Sequence, residues 1–325
     1  MRTTRGADRG SALLAVLWVS AALAAIAFSL STTVLGETQR TSTEVDGLRA
    51  YYLATSGLAR AEYELLWAAQ SPDRFPIRRN SGRVGYTFPS GEVQVEIIPE
   101  TAKLSINQAP PEELYKLLSA MGLEPERAGQ ITAAIVDWRS GGPGSAFDQY
   151  YRSLTPSFQA RHASFEEIEE LLSVKGITPE LFYGTYVPAA QDAGAPRLSP
   201  RAGLVDCLSV FGSDGRVDAN AAAPPVLAAI GLSPDAVNSL LERRRTAPFS
   251  DQQLSSFAAS AGSGAGRLRV GGNSILTLRA TARLRLVTGQ LSDLRRTVAA
   301  QVKYMPDGYD APIHVLRWYD TAWSY

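Results

Sequence analysis

The first 70 residues change from a continuous apolar run to an amphipathic repeat. Residues 11–36 contain no charged side chain, and at about 1.5 Å per residue this run can cross a ~30 Å hydrocarbon core. Further on, apolar and small residues recur at steps of three and four, as on one face of a helix. They are Val45, Leu48, Tyr52, Ser56, Ala59, Tyr63 and Leu66. The pattern predicts one helix from about Ser11 to Trp67, whose amphipathic half, residues 37–70, packs this stripe on a folded domain.

Strand patterns lie on both sides of a long helical region in the rest of the chain. Residues 84–88 and 92–98 alternate between apolar and polar positions across a Pro-Ser-Gly turn, which predicts a hairpin. Strand character returns at residues 274–286, 295–304 and 313–319. The sequence therefore predicts an α+β fold, in which the long helix packs on a small antiparallel sheet. We assign residues 84–99 and 267–325 to the sheet and residues 100–262 to an inserted α-domain.

The inserted region contains an internal repeat. One copy runs from Asn107 to Ala128 and the other from Asn220 to Ala236. In each copy a glycine ends one helix, a proline opens the next, and an arginine lies near the end of that second helix. A third turn of similar composition lies at residues 172–180. The repeat predicts helix-hairpin-helix elements that build two SAM-like units, at about residues 100–187 and 204–262.

The ten residues before the apolar run form a short basic leader. Arg2, Arg5 and Arg9 outnumber the single acidic residue Asp8, and positive charge on this side predicts a cytoplasmic N-terminus with the remainder exported. A plain signal anchor, or a signal peptide cut near Ala27, would share these features. The run is longer than a signal-peptide core and passes without a proline into the amphipathic helix, which favours a retained helix.

This leader and helix resemble the N-terminus of type IV pilins and pseudopilins. The resemblance implies that a prepilin peptidase cleaves after Gly10 and methylates the new N-terminus at Ser11. The family usually carries a glutamate at the fifth mature position, where it pairs with the amine of a neighbouring subunit. In this chain that position is Ala15. Absence of the glutamate is characteristic of the K-type minor pseudopilins of type II secretion, within the type IV pilin-like superfamily.

The helical region extends the resemblance to this K-type family. The relevant segments, in order, are residues 128–139, 148–154, 164–171 and 174–178, and the likeness runs from Arg9 to Trp318. It implies a non-enzymatic subunit at the tip of the pseudopilus that helps to start pseudopilus assembly and protein export across the outer membrane. Its implied partners are the other minor pseudopilins, the major pseudopilin, the prepilin peptidase and the bacterial inner membrane. The chain would cross that membrane once, with most of its residues in the periplasm.

One candidate metal site follows from the same resemblance. The family tends to carry an acid-rich loop after an Asp-Trp pair, and calcium prefers clustered oxygen ligands. In this chain the loop after Trp138 has lost its acids, and only Asp137 and Asp148 flank it. Two carboxylates without neighbours make a poor calcium site, and no other cofactor is expected. The acid-rich segment Asp307–Asp310 is interpreted as a solvated turn.

Three other functions compete with this interpretation. Helix-hairpin-helix elements often bind DNA phosphates, and Arg243-Arg244-Arg245 suits a membrane-anchored DNA receptor. However, Glu124, Glu126 and Glu180 lie in the hairpins and the net charge is zero, so we expect a structural bundle and no nucleic-acid partner. A minor pilin of a type IV pilus shares the leader and remains an alternative. An enzyme is disfavoured, because His162 and His314 are far apart in sequence and no nucleophile elbow or HExxH motif occurs.

Overall fold

The structure is a computed structural model that describes residues 8–68, 82–140, 142, 144–188, 198–213, 215–271, 274–305, 310–320 and 322. The start of the acid-rich segment at Asp307 lies outside these residues, whereas Asp310 is described and exposed. In chain order, the first three elements are α1 (Asp8–Trp67), β1 (Gly82–Phe88) and β2 (Gly91–Pro99). The next group is β3 (Leu104–Ser105), α2 (Pro111–Ala120), α3 (Pro125–Arg139), α4 (Asp148–Ser153), a 3-10 helix (Ile168–Ser173), α5 (Pro179–Tyr183), β4 (Thr185–Pro188), β5 (Leu198–Arg201), α6 (Leu204–Cys207) and β6 (Leu208–Ser209).

The remaining elements complete the insert and the sheet. They are β7 (Val217–Asp218), α7 (Pro224–Ala229), α8 (Pro234–Thr246), α9 (Asp251–Ser260), a 3-10 helix (Ser263–Arg267), β8 (Leu268–Arg269), β9 (Ile275–Arg285), β10 (Leu291–Tyr304) and β11 (Ile313–Tyr319).

One five-stranded antiparallel sheet carries the N-terminal helix. Its strand order is β1-β2-β9-β10-β11, and Pro99 of β2 pairs with Leu276 of β9. The chain therefore leaves the sheet at the end of β2 and returns to it at β9, the hydrogen-bonded neighbour of β2. The helical region is thus an insert between these two strands. The α+β class is confirmed. One boundary differs from the expectation, because Leu268–Arg269 pairs with Val217–Asp218 of the insert rather than with the sheet.

The face that α1 packs on the sheet is not the one the sequence indicated. Its buried residues are Ala50, Leu53, Ala54, Leu58, Ala61 and Leu65, which share one core with the inner face of the sheet. Tyr52 and Tyr63 of the predicted stripe are instead 62% and 54% exposed. The prediction that this stripe packs on the chain's own domain is wrong. The sheet approaches the side of small residues, where Gly57 lies directly against Val93, and small residues carry a weak hydrophobic signal.

The insert has a single core. Its buried side chains form one continuous cluster from Ala102 to Leu268, so the two predicted units share their interior. The insert contains two short pairs of parallel strands: β3 of the first half pairs with β6 of the second, and β7 pairs with β8. An ion pair between Glu113 and Arg267, 2.5 Å long, joins the first half to the second.

Charged groups hold the insert on the sheet. Glu100 is fully buried and accepts hydrogen bonds from Lys103 at 3.3 Å and from Thr277 of β9 at 2.5 Å. Burial alone would raise the pKa of Glu100, but the Lys103 ammonium and these hydrogen bonds lower it below its usual value. Arg279 of β9 lies 2.6 Å from Glu96 of β2 and 3.8 Å from Asp206 of the insert. These buried pairs fix the position of the insert at this end of the sheet.

The insert joins at the end of the sheet that is remote from the apolar half of α1. Leu53 lies beside Gly91, at the start of β2, and Gly57 lies beside Val93. Strand β2 therefore advances in the same direction as α1. Its end at Pro99, where the insert begins, is the end farther from residues 11–36.

Candidate functional site

The N-terminal helix provides the first candidate site. Gly10 and Ser11 lie within α1, and Ala15 is exposed on it. Ala12–Trp67 is the one described stretch that is long and apolar enough to cross a membrane, with a mean hydropathy of 2.4 in its most apolar window. Cleavage at Gly10 and methylation of Ser11 stay predictions. The structure places both residues, together with Ala15, on the same uninterrupted helix.

The repeated hairpins are built as the sequence predicts. Gly122 and Gly231 adopt φ values of +80° and +99°, a left-handed conformation that favours glycine at the end of a helix. Pro125 and Pro234 then occupy the first turns of α3 and α8. Two further residue types, an asparagine and an arginine, recur in the repeat and explain how each hairpin is held.

In the first copy, Asn107 and Arg139 close the loop that precedes α2. The Asn107 amide donates to the Phe165 carbonyl at 2.9 Å and accepts from the Phe165 N–H at 2.8 Å. Arg139, the last residue of α3, donates through Nη1 to the Ile106 carbonyl and through Nη2 to the Ala109 carbonyl, both at 2.7 Å. The guanidinium therefore satisfies backbone carbonyls that no helix or strand pairs.

The second copy repeats this arrangement. The Asn220 side chain exchanges two hydrogen bonds with the backbone of Phe249, at 3.1 and 2.7 Å. Arg244 of α8 donates to the carbonyls of Ala222 at 2.7 Å and Ala219 at 3.2 Å. Burial lowers the pKa of the Arg244 guanidinium.

This geometry changes the interpretation of the three consecutive arginines. Arg244 is turned inward onto backbone carbonyls. Arg243 lies over the Phe249 ring at 5.1 Å, and Arg245 pairs with Glu242 at 3.1 Å. The run is therefore not a continuous phosphate-binding surface, which removes the main support for the DNA-receptor alternative.

Asp137 and Asp148 lie in a small polar cluster that also contains His162. The Nε2 atom of His162 is 2.9 Å from an oxygen of Asp148, and its Nδ1 atom is 3.2 Å from the Asp137 carbonyl. The second Asp148 oxygen accepts from the Gly144 N–H at 2.9 Å, and the Asp137 carboxylate accepts from Ser145 Oγ at 3.0 Å. The Gly144 N–H and His162 lower the pKa of Asp148, and the Asp148 hydrogen bond raises the pKa of His162.

This cluster does not fit a calcium ion. Both oxygens of Asp148 and one oxygen of Asp137 are engaged by donors of the chain itself, and the imidazole stands where a cation would contact Asp148. Among the described residues, no group of three or more His, Cys, Asp or Glu side chains could hold a metal ion. Calcium needs six to eight oxygen ligands. Gly144 and Ser145 of this loop hydrogen-bond to the two carboxylates instead.

We expect that removing divalent metal will leave the stability of the chain unchanged. A calcium ion present at a hundred times its dissociation constant would contribute about 2.7 kcal/mol, so its removal would lower the melting temperature by several degrees. Thermal unfolding of the full-length chain in detergent, with a calcium chelator and with added calcium, measures this directly. His162→Ala is the matched variant, and it should lower the melting temperature equally in both conditions. A melting temperature that falls only with the chelator would contradict this account.

Sequence reasoning missed two features of these sites. It noted an arginine near the end of each second hairpin helix but assigned it no role, although recurrence in both copies was the available signal. It also assigned His162 no role, because nothing in the sequence links it to Asp148. His314 is exposed on β11, and the single cysteine, Cys207, is buried.

The chain resembles known proteins both in the sequence of its insert and in its fold. Residues 97–184, which cover the first half of the insert, match the family model described as type II secretion system (T2SS), protein K. A type II secretion system protein K from Klebsiella pneumoniae is 28% identical over 196 residues, which cover 54% of this chain and 60% of that protein. Another from Pectobacterium carotovorum subsp. carotovorum is 27% identical over 201 residues, or 55% and 61% of the two chains. The match thus spans about three-fifths of each relative.

A solved structure shows the same fold. It is the GspK-GspI-GspJ complex from the type 2 secretion system of enterotoxigenic Escherichia coli, and the matched chain superposes with a TM-score of 0.53. The superposition covers 86% of this chain and 100% of that chain, at 14% identity. Residues 97–184 therefore match a domain of type II secretion system protein K, and the chain is similar to that protein in sequence and in fold.

Proposed function

We propose that this chain is a non-enzymatic minor pseudopilin that sits at the tip of the type II secretion pseudopilus and helps to start its assembly. The observation that carries the proposal is the position of the insert. It is joined at Pro99 and Leu276, at the end of the sheet farther from the apolar half of α1. A subunit stacked above this one would meet the insert, so this subunit suits the end of a filament.

Ala15 supports the same position. A glutamate at this place in other subunits compensates the buried N-terminal amine of a neighbour, and a buried charge without a partner is costly. A subunit with alanine at this position offers no carboxylate to a subunit above it. At the tip no such subunit exists, so the loss of the carboxylate carries no cost there.

The proposal includes partners and a location. The solved complex that shares this fold contains GspK with GspI and GspJ, and we infer that two such minor pseudopilins also assemble with this chain. The charge-free run of α1 anchors it in the inner membrane with its N-terminus in the cytoplasm, and the prepilin peptidase cleaves after Gly10. The assembled tip rests on the major pseudopilin.

Ala15→Glu tests the tip position. With a carboxylate restored, the variant should enter the filament body, so that isolated pseudopili carry several copies instead of one at an end. Ala15→Gln is the matched control, because it adds similar bulk without a charge and should stay at the tip. Immunogold labelling of isolated pseudopili counts the copies. A wild-type chain found along the whole filament would contradict the proposal, as would an Ala15→Glu variant still found only at one end.

A further inference from the structure

The turn between β9 and β10 exposes two consecutive apolar side chains. Val287 is 108% exposed and Leu286 is 46% exposed. The turn is closed by the Gly289 N–H, which donates to the Leu286 carbonyl at 2.8 Å. Its central residues are therefore Val287 and Thr288, at positions where glycine, asparagine or aspartate usually occurs. The turn does not need apolar side chains to form, so Leu286 and Val287, the apolar tip, present apolar surface that the fold leaves unused.

The apolar tip lies at the end of the sheet that is nearer to the apolar half of α1. Leu53 of α1 lies beside Gly91, the first residue of β2, and Gly91 pairs with Leu284 of β9. Strand β9 is antiparallel to β2, so it runs back towards residues 11–36. The apolar tip follows two and three residues after Leu284 and projects beyond this last pair of β2 with β9. It therefore points along α1 towards the membrane that the apolar run would cross.

The height of the apolar tip above the membrane follows from residue spacing. Leu53 is 17 residues beyond Gly36, which is about 25 Å along the helix axis. Val287 is three residues beyond Leu284, which is about 10 Å in the opposite direction. With α1 upright and Gly36 at the edge of the hydrocarbon core, the tip would lie about 15 Å above that edge. The headgroup layer fills about 5–8 Å of this distance.

Tilting of α1 closes the remaining gap. Residues 11–36 form about 39 Å of helix, which is longer than the ~30 Å hydrocarbon core. A helix accommodates such an excess by tilting, in a direction that is set by its anchors at the membrane surface. A tilt of about 40° would fit the run into the core and reduce the height of the tip to about 11 Å. A tilt towards the sheet lowers the tip by several ångströms more, because the sheet lies to one side of the α1 axis.

The hairpin around the apolar tip carries excess positive charge. Residues 283–296 contain four arginines and one acid, Asp293. Glu92 of β2 pairs with Arg285 at 3.0 Å, which still leaves more arginines than acids. Arg295 is exposed. Guanidinium groups bind phosphates, and apolar side chains flanked by basic residues are typical of segments that lie in a membrane surface. Lipid therefore suits both the apolar and the charged part of the hairpin.

We propose that the apolar tip inserts into the headgroup layer of the membrane that α1 crosses, on the side of the folded domain, while the flanking arginines contact lipid phosphates. The inference rests on that part of the proposed function which anchors α1 in the membrane, and on no particular position in a filament. It gives the folded domain a defined place on the membrane before assembly, with α1 tilted towards its sheet. Assembly into a filament would then have to lift the tip out of the lipid.

Quenching of a fluorophore by spin-labelled lipid tests the inference. The full-length chain is placed in vesicles of phosphatidylethanolamine and phosphatidylglycerol, in which a fraction of the lipids carries a nitroxide near the headgroup. Cys207 is buried, so the fluorophore reacts with a cysteine introduced by Thr288→Cys beside the apolar tip. Ser255→Cys, at an exposed position of α9 in the insert, is the matched control. Leu30→Cys, within the apolar run, reports whether α1 lies in the bilayer.

The expected result is strong quenching at Thr288 and at Leu30, and little quenching at Ser255. Replacement of Leu286 and Val287 together by serine should lower the ratio of docked to undocked chains roughly tenfold or more, because both side chains lose the gain from burial in lipid. Both side chains are exposed, so the double variant should fold like the wild type, which circular dichroism verifies.

Three results would overturn the inference and leave the anchoring of α1 intact. One is quenching at Leu30 but none above the control at Thr288. Another is unchanged quenching at Thr288 in the double serine variant, since the apolar tip would then not hold the hairpin on the lipid. The third is a probe at Thr288 that becomes buried only when other pseudopilins are added, which would assign the tip to a protein partner. Absence of quenching at Leu30 would instead count against the proposed function itself.

Discussion

Replacement of Arg244 by alanine is expected to lower the free energy of unfolding by about 3 kcal/mol. The guanidinium donates to the carbonyls of Ala219 and Ala222, and hydrogen bonds from charged groups contribute about 1.5–3 kcal/mol each. Its removal also leaves two backbone carbonyls unpaired beside the core. Chemical denaturation of the full-length chain in detergent, followed by circular dichroism, measures the change.

Arg245→Ala is the matched control for Arg244, since it removes the same side chain one residue later. Arg245 is exposed and pairs with Glu242, within the same helix, so its loss should change the free energy of unfolding by less than about 0.5 kcal/mol. Arg139→Ala, the equivalent change in the first copy, should resemble Arg244→Ala. Equal effects at positions 244 and 245 would contradict the structural role of the inward-facing arginine.

Replacement of Gly57 by leucine is expected to separate α1 from the sheet and to cost about 3 kcal/mol or more. A Cβ atom at Gly57 would lie 2.4 Å from Cγ1 and 2.8 Å from Cβ of Val93. Valine is stiff at this torsion and cannot move aside easily, so the backbone of the helix or of β2 must shift. Overpacking of this kind usually costs about 1–3 kcal/mol, and leucine adds three more carbons to the clash.

Gly47→Leu provides the matched control on the same helix. Nothing lies within 4 Å of a Cβ atom built at Gly47, and leucine is a better helix former than glycine by about 0.8 kcal/mol. Thermal unfolding of the two variants should therefore shift in opposite directions. Destabilisation of similar size at both positions would mean that the close contact of α1 with β2 is wrong.

The strands and hairpins could be predicted because their signals are local. Alternation at residues 84–88 and 92–98 predicted β1 and β2, and the glycine–proline spacing of the repeat predicted the turns at Gly122 and Gly231. The packing face of α1 could not be predicted in this way. Both faces carry periodic residues, and the larger side chains of Tyr52 and Tyr63 masked the small residues that allow the sheet to approach.

The candidate sites depended on contacts between distant parts of the chain. The sequence showed that the loop between Asp137 and Asp148 had lost its acids, but not that His162 contacts Asp148 and the Asp137 carbonyl. It showed three consecutive arginines, but not which of them is solvent-exposed. Arg244 donates to backbone carbonyls because folding brings Ala219 and Ala222 beside it. The position of the insert at the far end of the sheet likewise follows only from the pairing of β2 with β9 and from the contacts of α1 with β2.

The mass and sequence of the mature N-terminus test the central claim most directly. The chain should be isolated from the membranes of a bacterium that makes a type II secretion system and analysed by mass spectrometry. We expect an N-terminus at Ser11 that carries one methyl group, and we expect Gly10→Leu to block this processing. An unprocessed chain that begins at Met1, or one cut near Ala27, would contradict the assignment of this protein as a pseudopilin.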